Sequence, residues 1–445
     1  MTPNVTWKIP EYKAHQHQWE ICNSVYDGID TAIAYLTQKS YEYNDIFATR
    51  QDNATLNNFI ERINTSMTGE IFRKPLTAEK VPANTLEKLK TIAGTKNLDQ
   101  FTKIVTNSAI LNGKAYILVD APTNGGDPYM SLITREQLIN YKKDEQGNFT
   151  FAVIAESYTE SLDEFSYEVK PQYRVIDANG NVRIFRSGDG KSAWYVFEEI
   201  NTTYNFCPLY ELKISDIPPL YDIAKVNVQH MNYTSNQSDY VTEAMCPILF
   251  GKALGVEGED NVLGEGESPE PQIVLGIRNA SFAENPEADL SWIELQAQGN
   301  YEISAKHIDK LEKDMTSRAL SLQESSESKS ATQVSSEDVE ADSRLTDIAA
   351  NTENVINNAL EGWAAIGNTT FPGKMIVNRD FNEITVGDIT GLNTLQVSGN
   401  LSRETLLKSL VKNEVIDLDS VDEELKRIEE ENVNSLSLET EDAGV

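Results

Sequence analysis

The run Gln323-Glu-Ser-Ser-Glu-Ser-Lys-Ser-Ala331, together with the helices on either side of it, decides the architecture. Upstream, from about Ala297, the residues Ile303, Ile308, Leu311, Met315 and Leu322 fall on one side of a helix. Lys306, Lys310, Lys313 and Arg318 stand elsewhere around it. Downstream, Leu345, Ile348, Ala349, Thr352, Val355, Ile356, Ala359, Leu360, Trp363 and Ile366 recur at three- and four-residue spacing, which predicts a second amphipathic helix. No Gly or Pro interrupts Glu324 to Glu361, so this helix is expected to run roughly 45–50 Å at 1.5 Å per residue. So long a spine suits a radially arranged assembly better than a compact monomer. The break between the helices is too polar for a core and is expected to face something solvated and charged.

Working outward, the N-terminal part reads as helical over 11–76, with Leu56, Phe59, Ile60, Ile63, Met67 and Ile71 in one stripe that stops at Pro75. A second helix covers about Leu98–Asn112, with Gly113 as its C-terminal cap, and the strand Tyr116–Val119 follows. The period then changes to two. Strands are expected at 149–154, 172–176, 182–185 and 192–197, with Asp177–Gly180 and Ser187–Gly190 as turns. Pro218-Pro219 marks a boundary before a helix over about Leu220–Glu243. That helix is rich in Asn, Gln, Tyr and Ser and is expected to line solvent or a subunit contact rather than a core. Strands at 247–250 and 272–276 flank an acidic, Gly-rich loop; short strands return over 370–397; helices close the chain at about 402–412 and 421–432.

Composition narrows the function. At 445 residues the chain is expected to form two or more domains. Seventy acids against 38 bases leave a net charge of −32, which disfavours adhesion to DNA or to an anionic membrane, though not a passage in which weak adhesion is wanted. Three scattered cysteines without a CxxC point to a reducing cytosol. Neither a signal sequence nor an apolar run near the ~20 residues of a membrane span is found, so no membrane partner is expected.

Chemistry-bearing lookalikes yield to plainer readings. Gly188-Asp-Gly-Lys-Ser192 has Phe185 where a phosphate loop needs its first glycine, and it leads into a strand instead of a helix. Asp417-Leu-Asp-Ser-Val-Asp422 has Asp422 where a calcium loop needs glycine, and Ile428 where it needs a bidentate acid. His15, His17, His230 and His307 lack metal-ligand spacing. The carboxylates Glu257, Glu259, Asp260, Glu265 and Glu267 sit among glycines, and a two-metal nuclease needs its acids on rigid strand ends. No catalytic residue, metal or cofactor is therefore expected.

An ordered series of segments resembles tailed-bacteriophage portal proteins, the head–tail connectors, over nearly the whole chain. It begins with Tyr12, Trp19, Gly28, Tyr35-Leu36 and Gly69-Glu-Ile-Phe-Arg-Lys-Pro75. Ile110-Leu-Asn-Gly-Lys-Ala-Tyr-Ile-Leu-Val-Asp-Ala-Pro122 follows, with Lys114 where the family commonly has arginine. Then come Pro219–His230, Met245–Gly251, the helix–break–long-helix unit and Val397–Thr405.

The resemblance implies an α+β, portal-type subunit in a ring of about twelve at one capsid vertex of the virion, made in the host cytoplasm. It implies a wing (1–218 and 334–395), two stem helices (219–246 and 300–322), a clip (247–299), a tunnel loop (323–333) and a short helical crown (396–445). Double-stranded DNA would pass through the bore during packaging and ejection. The partners would be the terminase packaging motor, the major capsid protein and the head–tail adaptor. The site residues it suggests are Ser325, Ser326, Ser328, Lys329 and Ser330 in the tunnel loop, Lys306, Lys310, Lys313 and Arg318 on the stem, and Glu257, Glu259, Asp260, Glu265 and Glu267 as clip contacts for adaptor or motor. The stem cations have two destinations open to them, phosphates in the bore or acids across a subunit boundary. The rival functions are an acidic ring-forming neck or tail scaffold without DNA passage, and a metal-dependent nuclease built on the clip carboxylates.

Overall fold

The computed structural model describes residues 4–122, 125–188, 194–245, 248–252, 289–293, 298–320, 331–379, 381, 386–412, 416 and 421–428. The chain divides into two compact units, residues 1–379 and 380–445, and its class is α+β, with every strand pair among the described residues antiparallel.

The first unit opens with α1 (Pro10–Tyr26), α2 (Ile29–Ala32) running into a short 3₁₀ turn, α3 (Asn44–Asp52) and α4 (Phe59–Ile71). The region expected to be helical over 11–76 is thus interrupted three times. Gly28, at φ 106°, turns the chain, and two extended straps, 36–43 and 53–58, separate the later helices. Within α4 the stripe is as expected: Ile60, Ile63, Met67 and Ile71 are buried, and Asn58 Oδ1 caps the helix by accepting from Glu61 N at 2.9 Å. After β1 (Thr77–Glu79) and α5 (Ala83–Leu89) comes α6 (Leu98–Asn112), begun by a capping box: Asn97 Oδ1 accepts from Gln100 N, and Gln100 Oε1 accepts from Asn97 N. Gly113 ends it at φ 79°, and a Cβ there would lie 2.6 Å from Ser215 O, so only glycine fits.

The strands that follow build two sheets. β2 (Lys114–Asp120) lies between β3 (Tyr129–Thr134) and β9 (Leu209–Lys213). The other sheet runs in the order β4 (Leu138–Lys143), β5 (Phe149–Ser161), β6 (Tyr167–Ile176), β7 (Val182–Ser187), β8 (Trp194–Ile200). Alternation sorts their side chains into layers. Ala115, Ile117 and Val119 of β2 pack with α6 and the long helix α9 (Ala331–Ile366), while Tyr116 and Leu118 pack with Phe149, Ala152 and Ile154 of β5. Val153, Val175 and Phe185, on the opposite face of the five-stranded sheet, meet Val5, Tyr12 and Trp19 of the α1 segment. β2 is therefore buried on both faces, between helices and a second sheet. Strands β3, β4 and β9 are additions to the sequence expectation.

Next come α7 (Tyr221–Ala244), β10 (Ile248–Lys252), β11 (Asp289–Ile293), α8 (Gln298–Leu320), α9 (Ala331–Ile366) and β12 (Lys374–Ile376), the last paired with β1. α9 holds 36 residues, about 54 Å of helix. Its C-terminal half is core: Ile356, Ala359, Leu360 and Trp363 are buried, and Trp363 Nε1 donates to Pro128 O at 2.5 Å. Gly362 lies inside this helix because Tyr210 crosses it; a Cβ there would sit 1.8 Å from the Tyr210 hydroxyl. β10 pairs with β11 at 289–293, whereas the expected partner at 272–276 lies outside the described residues, as does the acidic loop.

The second unit contains α10 (Val386–Val397), α11 (Arg403–Lys412), begun by Ser402 Oγ accepting from Thr405 N, and a helix over 421–428. The strands expected over 370–397 are corrected here. Among the described residues of that span only 374–376 is a strand, and 386–397 is helical, its Ile389, Leu392 and Leu395 recurring every third residue in spite of the β-favouring valines and threonines and the helix-disfavouring glycines around them.

Candidate functional site

α7 and α8 form an antiparallel pair. His230 Nε2 lies 3.0 Å from Glu312 Oε1, and one helical turn further along α7 the Tyr233 ring meets His307 edge-on at 4.5 Å between centroids. The pair ends at the β10–β11 ladder, whose register runs from Ile248↔Ile293 to Lys252↔Asp289. At the other end α8 leads over residues 321–330 into α9, which is rooted in the core.

The polar composition of α7 has a different use from the expected one. Asn227 is fully buried: its Oδ1 accepts from Phe59 N at 3.0 Å and its Nδ2 donates to Asn57 O at 2.9 Å. Five residues on, Asn232 Oδ1 accepts from Thr37 N at 2.8 Å and its Nδ2 donates to Tyr35 O at 3.1 Å. Each asparagine therefore bonds one backbone N–H and one backbone C=O where an extended strap without a ladder of its own meets a helical turn. Arg50, with 2% of its side chain exposed, grips Glu42 at 2.7 Å, donates to Thr37 O at 2.8 Å and reaches Ser235 of α7 at 3.4 Å. That guanidinium holds the Glu42 carboxyl down at about 2. The expectation that α7 lines solvent is thus corrected for its first half, where Ile223, Ala224, Asn227, His230 and Met231 are buried.

α8 is covered on one side only. Leu311, Met315 and Ala319 face α7, while Ile303, expected in the same stripe, is 70% exposed. Lys306, Lys310 and Lys313 are exposed, make no ion pair with a described residue and follow one another at four- and three-residue spacing, on the side away from Leu311 and Met315. Arg318 belongs to a different flank, 3.2 Å from Asp314. The structure thus gathers three of the four expected stem cations into one stripe and parts the fourth from it. Ser325, Ser326, Ser328, Lys329 and Ser330 lie outside the described residues, as do Glu257, Glu259, Asp260, Glu265 and Glu267.

Lys114 is a structural residue. Only 4% of its side chain is exposed, and its ammonium lies 2.6 Å from Glu11 and 2.8 Å from Asp216. Those bonds, Lys114 first and Lys213 second, hold Asp216 down at about 2, and Tyr141 donates to the second Glu11 oxygen at 2.6 Å. Among the described residues no group of three or more His, Cys, Asp or Glu could hold a metal ion, and no helix is long and apolar enough to cross a membrane.

The model of a family described as a domain of unknown function, DUF4055, matches residues 219–366, which run from the start of α7 to the end of α9. No curated protein matches the chain. Among solved structures it is similar to a chain in "Neck of empty GTA particle computed with C6 symmetry", with TM-score 0.41, 14% identity, and 87% of this chain and 98% of that chain covered. A chain in "Virion of native gene transfer agent (GTA) particle" gives 0.41, 13%, 85% and 97%; one in "Neck of native GTA particle computed with C12 symmetry" gives 0.37, 12%, 86% and 98%. Likeness at this level fixes neither function nor assembly.

Proposed function

We propose that the chain is the subunit of a phage portal, a ring at one capsid vertex through which double-stranded DNA is packaged and ejected. The observation that carries this reading is the α7–α8 pair. It is rooted in the body through Asn227, Asn232 and Arg50, ends in the β10–β11 ladder, continues into a 36-residue helix, and leaves the outer side of α8 uncovered. A helix finished on one side only is what a ring subunit contributes to a stem, and the ordered segments of the sequence agree with it. In this reading β10–β11 is the base of the clip, whose acids Glu257–Glu267 meet adaptor or motor. Residues 323–330, just before α9 begins at Ala331, form the tunnel loop, with Lys329 and its serine neighbours touching phosphates transiently. About twelve copies at −32 each surround the bore with several hundred negative charges, so DNA slides past the wall without adhering. Such a subunit has no reaction to catalyse and needs no cofactor.

Mass photometry of the purified chain, followed by class averages down the symmetry axis, tests the proposal. The expected result is a ring of about twelve subunits with a bore that admits a duplex. A stable monomer at micromolar concentration in moderate salt overturns it. A ring with a closed bore leaves an acidic neck or tail scaffold in its place.

A further inference from the structure

β5 and β6 outrun the sheet they belong to. β4 pairs with β5 only as far as Ile154, and β7 pairs with β6 only from Gln172, yet the β5–β6 register continues from Ser157↔Pro171 to Ser161↔Tyr167. Five residue pairs therefore project as a two-stranded ribbon, a form that is marginal in water without a surface to lie on. The turn at its tip is set by Asp163, which accepts from Phe165 N, Ser166 N and Ser166 Oγ.

The ribbon has two unlike faces. The β5–β6 register is unbroken, so alternation extends the side of the sheet that α1 covers at Val153 and Val175 out through Ser157, Thr159, Ser161, Tyr167, Val169 and Pro171. That face has no charge on it. Tyr167 and Val169 are 67% and 60% exposed, and Phe165 and Leu162 at the tip are 90% and 63% exposed. It is core face that has run past its cover, and contiguous apolar surface of this kind marks a contact site. The rim and reverse side are acidic: Glu160, Asp163, Glu164 and Glu168 against the single Lys170.

In a chain of net charge −32, a surface able to receive an acidic ribbon is scarce. Among the described residues, α8 carries the one trio of exposed lysines without an ion pair on a helix face. Ile303, Lys306, Lys310 and Lys313 span about 15 Å along α8, and the five pairs of the ribbon span about 14 Å. Lysine stems lie readily along apolar surface while their ammonium groups reach acids at its rim. Glu302 and Asp309 border the stripe on one side and Asp314 on the other, so a polyanion laid along it would meet carboxylates as well.

We infer that the β5–β6 ribbon of one subunit docks on the Ile303–Lys313 face of α8 in a second copy of this chain. This rests on the ring reading above. The contact joins two different surfaces, so it repeats head to tail and closes into a ring. It assigns the stem lysines to the subunit boundary and not to DNA.

Charge reversal with the full-length chain tests the contact. The set Glu160→Lys, Glu164→Lys, Glu168→Lys and the set Lys306→Glu, Lys310→Glu, Lys313→Glu are each expected to lose the ring in mass photometry, and the two sets combined to restore it. All six side chains but those bridged by Lys170 stand free of described partners, so the melting temperature of each variant is expected to stay near that of the natural chain. Phe165→Ser with Val169→Ser keeps every charge and is expected to lose the ring too. Rings of normal size from the reversed and the serine variants defeat the contact and leave the ring reading standing. A ring that survives reversal of the lysines but no longer retains DNA returns those lysines to the bore and defeats the contact. A natural chain that is itself monomeric defeats the ring reading and the contact with it.

Discussion

α6 and α8 are both amphipathic helices of the same unit, yet nine of the 15 residues of α6 are buried, while α8, with 23, buries Leu311, Met315 and Ala319 among its described side chains. α6 is finished by its own chain: β2 lies under one side, α9 and α4 under others, and a capping box and Gly113 close its ends. α8 has α7 on one side and its lysine stripe on the other. A helix covered all round contributes to folding alone, whereas one covered on a single side keeps a face whose energetics are settled by association. Mutations in the two regions should therefore separate stability from assembly.

The largest expected effect is in the finished region. Trp363→Ala, on the α9 surface that α6 and β2 cover, should cost about 3–5 kcal/mol in a urea titration, through lost contacts and the unpartnered Pro128 carbonyl. An unchanged midpoint would break the comparison at its better-supported end. Between the two regions stands the root of the helix pair. Asn227→Ala removes two buried side-chain bonds, leaving Phe59 N and Asn57 O only the bond they make to each other, and should cost about 1–3 kcal/mol; a neutral result would return α7 to a solvent-lining role.

The acid limb of stability should come from the same roots. Glu42, beside Arg50, and Asp216, beside Lys114, both ionise at about 2 in the folded chain, below the ordinary carboxylate range. Each then binds protons more readily once unfolded. Their contribution is present in full at neutral pH and is lost as pH falls from about 4.5 towards 2. Equilibrium denaturation across that window checks the sign, and Glu42→Gln should flatten the dependence. The smallest effect on folding is expected at the unfinished face: Lys310→Ala should move stability by less than about 0.5 kcal/mol. A larger loss would mean that the face is already covered within its own chain.

How much of this was legible follows from burial. The α4 and α9 stripes could be read because each of those helices buries one side, and a one-sided helix writes its period into the chain, while the end of α6 could be read from Gly113. β5, β6 and β7 could be read in the same way from their alternation. β2 was read only in part, since burial on both faces erases alternation, and the short strands β3, β4 and β9 were lost among their charged and turn-forming neighbours. The polar α7 looked solvent-lining because an asparagine in a sequence does not reveal whether its partner is water or a distant backbone.

The sequence by itself determined the local elements, the acidic character and the presence of three lysines on one helix, because these depend on neighbours within a turn or a strand pair. Only the tertiary structure decided that Asn227 and Asn232 hold straps roughly 170 and 195 positions away in the chain, that Lys114 is a buried ion-pair centre, and that the ribbon's outer face extends the surface beneath α1. Those facts depend on which distant backbone groups and apolar faces are brought together, and desolvation sets their energy only once the layers have closed.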